Sequence, residues 1–198
     1  MIRWFAALLV LAACTPPRAV PVSIDSLVSR KQLDQVETPL LAASLTGPGT
    51  LATMQPAGRN GQVVTWRAAD EVTLSMKNGL IVATRGLGDD LMAADIEDTR
   101  AVLSGHRAGT DYARIHTYLD GEYQTTFRAF RCRIEITAPD TIRIVGATHP
   151  TTRFEETCFS PEGNIANTYW LGDDGTMWRS KQWISRSLGY METELLVK

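Results

Sequence analysis

The sequence predicts a mostly β protein: an antiparallel meander of about ten strands, folded as a sandwich or a partly open barrel, with one or two short helices. Three observations carry that expectation. Apolar and polar residues alternate with a period of two through much of the chain after residue 39. Dipeptides that favour tight turns, Asn78-Gly79, Asp120-Gly121 and Asp174-Gly175, separate the alternating runs. Helical spacing is confined to two stretches, 23–36 and 90–104.

The first residues precede the fold. Arg3 supplies a small positive charge, and Trp4 to Leu11 form an apolar run too short to cross a bilayer. The run ends in Leu11-Ala12-Ala13-Cys14, which resembles the lipobox of bacterial lipoproteins. Small residues at 12 and 13 let the backbone enter a peptidase. The Cys14 sulfur then carries diacylglycerol, and Cys14 becomes the N-terminus. Two or three acyl chains anchor stably where one binds only marginally. Thr15, rather than Asp, follows the cysteine, which by the usual sorting pattern points to the outer membrane. The alternative is an ordinary signal peptide with an incidental cysteine. The expected organisation is a signal peptide over 1–13, then a lipid anchor, tether and short helix over 14–38, then one β domain over 39–198. Pro16, Pro17 and Pro21 mark the tether.

Within the β domain, Gly61 to Arg67 reads as a strand carrying Trp66. Val72, Leu74 and Met76 alternate with polar residues, and Asn78-Gly79 turns the chain into Leu80 to Arg85. A two-residue turn pairs Met76 with Ile81 and Leu74 with Ala83. Asp90 to Ser104 is the second helix candidate, ended by Gly105, with Asp89 or Asp90 as its cap. Tyr112 to Leu119, Asp120-Gly121 and Glu122 to Arg128 form a second hairpin, setting Tyr118 against Tyr123 and Arg114 against Phe127. Apolar residues then change phase, which predicts a bulge near Ala129. A new strand starts at Ile142 after Pro139-Asp140. Asn164 to Leu171 and Thr176 to Ile184 make a third hairpin, and Tyr190 to Val197 is the last strand.

Net charge is −2 with both signs interspersed, and no basic run exceeds Arg30-Lys31, so nucleic acid is not an expected partner. With Cys14 lipidated, Cys132 and Cys158 remain in an oxidising compartment, where a disulfide is expected. The alternative is two buried free thiols. No Cys-x-x-Cys occurs, and His106, His116 and His149 are isolated, so neither metal nor cofactor is expected.

Thr84-Arg85-Gly86-Leu87-Gly88-Asp89-Asp90-Leu91 has a structural reading of its own, with Arg85 paired to Asp89 and Asp90 to fix the loop. An anion held by Arg85 is the functional alternative. The same stretch resembles the YjbF/GfcB lipoproteins, which are encoded with exopolysaccharide and group 4 capsule genes. The resemblance extends through Asn60-Gly61, Thr65-Trp66, Asn78-Gly79-Leu80, Glu156-Thr157-Cys158, Asn167-Thr168-Tyr169-Trp170, Arg179-Ser180-Lys181-Gln182-Trp183 and Leu188-Gly189-Tyr190. It includes the lipobox. It implies a lipoprotein on the periplasmic face of the outer membrane, working with polysaccharide export or assembly components. It implies a mostly β fold and no established catalytic residues.

Two rival readings stay open. Tyr169, Trp170, Trp178, Trp183 and Tyr190, with Asn164, Asn167, Arg179 and Gln182, offer rings and polar groups to a glycan, although at least three of the five rings are expected in the core. Alternation places Trp178, Ser180 and Gln182 on one face and Met177, Arg179, Lys181 and Trp183 on the other. Tyr112, Arg114, His116 and Tyr118 form a second polar strip, for binding or for solvent. In an open barrel such residues suit a carrier or binding module for a lipid or lipid-linked sugar. An enzyme would require facing carboxylates, for which Asp89, Asp90 and Glu156 are the candidates.

Overall fold

The fold is described from a computed structural model over residues 24–46, 49–105 and 108–198. The expected signal peptide, Cys14, the expected tether and His106 lie outside the described residues. Twelve strands form one antiparallel sheet curled into a nearly closed barrel. In chain order they are β1 Leu40–Leu45, β2 Thr50–Asn60, β3 Val63–Ala68, β4 Thr73–Lys77, β5 Leu80–Arg85 and β6 Ala93–Ala94, then β7 Asp111–Leu119, β8 Thr125–Ile144, β9 Ala147–Phe159, β10 Ile165–Leu171, β11 Met177–Ser185 and β12 Gly189–Val197. Each strand pairs with its chain neighbours except at β5 and β6, and β1 pairs with β12 near the two ends of the chain. The seam falls between β5 and β6. There the Thr84 N–H donates to the Leu91 carbonyl (2.9 Å) and the Leu91 N–H to Thr84 Oγ1 (3.0 Å).

Two short helical pieces complete the fold. Ser29 and Gln32 cap α1 (Arg30–Leu33) reciprocally, each side chain accepting from the other's backbone N–H. This piece and the 3-10 turn Ile24–Ser26 pack Leu33 and Ile24 on the outside of the barrel, against Leu40, Ala42 and Leu196. Helix α2 (Glu97–Gly105) begins later than expected, because Ala93–Ala94 pair with β7 and Asp95, not Asp89 or Asp90, accepts from the Glu97 N–H. Val102 and Leu103 turn inward onto Ile134, Phe154 and Leu171, so α2 closes part of one barrel end.

Several registers differ from expectation. Met76 does face Ile81, but a bulge sets Leu74 against Thr84. The second hairpin has a five-residue loop, 120–124, because Asp120 Oδ1 accepts from the N–H groups of both Glu122 and Gln124. Tyr118 therefore faces Thr126 and Arg114 faces Phe130. No bulge forms at Ala129: the ladder runs unbroken from Thr125 to Arg133, and the change of apolar phase arises because Phe127 points to solvent, 67% exposed.

The expected new strand at Ile142 is the far half of the 20-residue β8. Pro139 fits there because β7 pairs only with residues 125–133 of β8, which leaves that edge without a ladder to break. The far ends of β8 and β9 form an arm that folds back over the outside of the barrel. Asp140 accepts from Trp170 Nε1 (2.8 Å), the Arg143 carbonyl from Arg179, and His149 stacks on Trp178. The arm turns at Val145-Gly146, both at positive φ. That is strained for a β-branched residue, and Val145 is held by burial against the Ile24 cluster.

Candidate functional site

Inward-facing positions of the barrel carry an unusual polar cluster. Glu156 on β9, 0% exposed, lies between Phe154 and Cys158 in the inward phase. Its Oε1 accepts from Thr99 of α2 (3.0 Å) and from Tyr112 of β7. Its Oε2 accepts from Arg114 (2.8 Å), Asn167 (2.5 Å) and Tyr169 (2.7 Å). Arg114, equally buried, also donates to the Tyr169 hydroxyl and, through Nε, to His116 Nε2 (3.0 Å). An acceptor at Nε2 assigns the proton to Nδ1, which faces the Tyr118 hydroxyl at 3.1 Å. The Tyr118 hydroxyl in turn donates to the Ile184 carbonyl (2.6 Å). Four strands and a helix thus meet in one network.

The electrostatics follow from burial and pairing. Desolvation alone would raise the Glu156 pKa, but Arg114 and the donors Tyr112, Asn167 and Tyr169 outweigh it and hold the carboxyl below its usual range. Desolvation and then the Arg114 charge push His116 down to about 3, so it is neutral at pH 7. Burial and Glu156 raise the Tyr112 and Tyr169 hydroxyls, so both remain protonated donors. Five donors fill the lone pairs of one carboxylate. The arrangement holds the carboxylate charge in place.

Beside this network Cys132 and Cys158, directly paired on β8 and β9, form the expected disulfide. In the chain-entropy model the loop they close stabilises by roughly 3.5 kcal/mol. Their sulfurs lie close to the Glu156 carboxylate, but a disulfide occupies the thiolates that a metal would need.

The residues singled out from the sequence separate into three places. Asn167, Tyr169 and Gln182 point into the barrel. The Gln182 amide accepts from the Ile81 N–H (3.0 Å) and donates to the Gly79 carbonyl (2.9 Å), covering the open edge of β5 from across the lumen. Trp170 and Arg179 face outward. The Arg153 and Arg179 guanidinium groups each lie 5.7 Å from the Trp170 ring centre, and Arg179 bonds Glu194. Arg85, Asp89 and Asp90 belong to the seam. The expected Arg85 ion pair is replaced, because its guanidinium donates to the carbonyls of Thr84, Leu91 and Met92. Asp90 accepts from Thr84 Oγ1 and from the Gly86 and Leu87 N–H groups, and Asp89 from Ser187. Glu156, Asp89 and Asp90 share no hydrogen-bond partner.

The polar strip Tyr112, Arg114, His116 and Tyr118 shares one face as expected, but that face is the barrel interior and not solvent. Among the five C-terminal rings Tyr169 alone is fully buried, and the other four are half-buried. Trp178 turns outward, away from Ser180 and Gln182, because pairing skips from Arg179 to Met177 and leaves it in a bulge. Met177 consequently packs inward, opposite to Arg179. Thr99 was not foreseen. The legible signal for the network was Glu156 itself, an acid in the phase of Phe154 and Cys158.

Two observations bear on ligand capacity. The hollow lined by apolar Ala43, Leu45, Met54, Leu74 and Met191 holds about 60 Å³, too small for an acyl chain. Larger hollows, of about 270 to 470 Å³, have polar residues in their linings.

The family model described as "Group 4 capsule polysaccharide lipoprotein gfcB, YjbF" matches residues 18–196. Among solved structures, the hypothetical lipoprotein YmcC of Escherichia coli K12 matches with a TM-score of 0.76 at 17% identity, covering 88% of this chain and 93% of that one. At that identity the likeness shows a shared fold. A Bacteroides fragilis protein with a YmcC-like fold matches at 12% identity and a TM-score of 0.37, over 81% of this chain and 95% of that one. No curated protein matches the chain.

Proposed function

Since this chain belongs to the family of group 4 capsule polysaccharide lipoproteins, gfcB and YjbF, we propose that it is a lipid-anchored accessory protein on the periplasmic face of the outer membrane, assisting exopolysaccharide or capsule production or export without catalysis. The match over residues 18–196 is the observation that carries this reading. The lipobox at Cys14 supports the anchor, with Thr15 supporting the outer membrane. Glu156, saturated by five donors, supports a structural rather than a reactive role for the buried carboxylate. The small apolar hollow favours an accessory role over carriage of an acyl chain.

Deletion of the gene in a strain that makes the polymer tests the reading. Surface and released polysaccharide are expected to fall, and to recover with the wild-type chain but not with Cys14→Ser. Unchanged polysaccharide in the deletion strain would overturn it. A mass spectrum of the mature protein is expected to begin at diacylated Cys14. Incubation of the purified domain with the polymer should release no new reducing ends.

A further inference from the structure

At one end of the barrel the β2–β3, β4–β5 and β10–β11 turns meet the C-terminus, and the interior opens into a cleft of about 470 Å³. The meander's alternation of strand direction puts this mouth at the same end as the start of β1, the end nearer the tether. Helix α2 closes another part of this end, against β8 to β10. Nothing in the polar network or the seam uses the cleft. Barrel mouths are favoured ligand sites, and its volume lies within the range of small-ligand pockets.

The chemistry of the walls narrows the occupant. Trp66, Met76 and Leu195 line the cleft as an apolar wall. Arg59 at the end of β2, Gln62 in the turn after it and Asn78 in the β4–β5 turn bring a guanidinium and two amides to it. Lys198 also lines the cleft, but its charge is balanced by Asp174 at 2.6 Å. Arg59 has no ion-pair partner among the described residues. One uncompensated cation beside an indole and two amides does not suit an acyl chain. It suits a sugar whose C–H face packs on the apolar wall, whose hydroxyls bond the amides and whose acid group meets the guanidinium.

We propose that this cleft binds a short stretch of polysaccharide carrying an anionic sugar, gripped by Arg59 and packed on Trp66. The proposal rests on the polysaccharide reading above and adds the place and the class of ligand.

Titration of the full soluble domain with fragments from partial acid hydrolysis of the producing strain's polysaccharide tests it, with maltotriose and lauric acid as comparators. The fragments are expected to bind, with Arg59→Gln at least tenfold weaker and Trp66→Phe several-fold weaker. Arg131→Gln, on the outer face, should bind as wild type. Arg59 is exposed, so Arg59→Gln should keep the wild-type melting temperature. Absence of fragment binding at millimolar concentration would overturn the proposal. So would equal affinity for maltotriose, displacement by lauric acid, or an Arg59→Gln variant that binds as wild type. A chromosomal Arg59→Gln strain with normal polysaccharide, beside a deletion strain that has lost it, would overturn the cleft and leave the accessory role standing. Normal polysaccharide in the deletion strain would instead overturn the accessory role itself.

Discussion

Glu156 and Glu155 are neighbours in sequence with opposite surroundings. Glu155 points outward to Arg153 in a pair that is 40% and 45% exposed. Glu156 points inward to Arg114 in a pair that is 0% and 1% exposed. Breaking a buried pair leaves an uncompensated charge in low dielectric, which costs about 3–5 kcal/mol. Glu156→Gln is therefore expected to lose that much in urea unfolding, while Glu155→Gln should stay within about 0.5 kcal/mol of wild type. His116 predicts a pH dependence. In the unfolded chain it takes up a proton near 6.5, but in the barrel only near 3. Between those values acid favours the unfolded state, so its contribution is intact above pH 6.5 and falls as pH drops toward 3. The slope from one such group is at most about 1.4 kcal/mol per pH unit. His116→Gln keeps an acceptor for Arg114 and a donor for Tyr118 without the titration. Unfolding midpoints measured at pH 7.5 and pH 5 should lie closer together in that variant than in wild type.

Among the elements, legibility followed how local the signal was. The Asn78-Gly79 hairpin and the hairpin around Asp173-Asp174-Gly175 form where alternation and turn residues place them. The Asp120-Gly121 loop is longer than its dipeptide suggests, since the Asp120 side chain competes for backbone N–H groups. Pro139 reads as a strand breaker until its edge is seen to lack a neighbour. The seam was legible as a special loop but not as the closure of a barrel. There Asp90 binds the Gly86 and Leu87 N–H groups and the Thr84 hydroxyl, and Thr84 in turn bonds Leu91. Asp90→Ala should unpin the loop and speed hydrogen exchange across residues 84–92 by more than tenfold. Exchange in β9 and β10, away from the seam, should be unchanged. Equal acceleration in both regions would show that the loop does not open independently.

At the scale of the whole molecule, the segment that precedes β1 is part of the fold. Ile24 and Leu33 are buried against β1, β12 and the tip of the β8–β9 arm. Removing residues 24–36 would expose Leu40, Ile142, Ile144 and Leu196, which pack there. Burying two such aliphatic side chains is worth about 3–6 kcal/mol together. Urea unfolding of that truncation is expected to show a loss in this range. A loss below about 1 kcal/mol would mean that the segment is carried on the surface without stabilising it. The same packing brings the chain onto the barrel at the end where the cleft opens.

The period-two alternation, the turn dipeptides, the lipobox and the distributed family motifs were sufficient to determine strands, hairpins, a mostly β fold and kinship with capsule lipoproteins. Each depends on residues a few positions apart, and such neighbours meet whatever the rest of the chain does. Closure of the sheet alone decided which face of each strand became interior. It brought Thr99 and Arg114 to Glu156, 57 and 42 positions away, and Gln182 to Ile81, 101 positions away. Alternation says that two faces differ without saying which will be dry, and for Tyr112, Arg114, His116 and Tyr118 that decision came from residues of β9, β10 and β11 that curl over them.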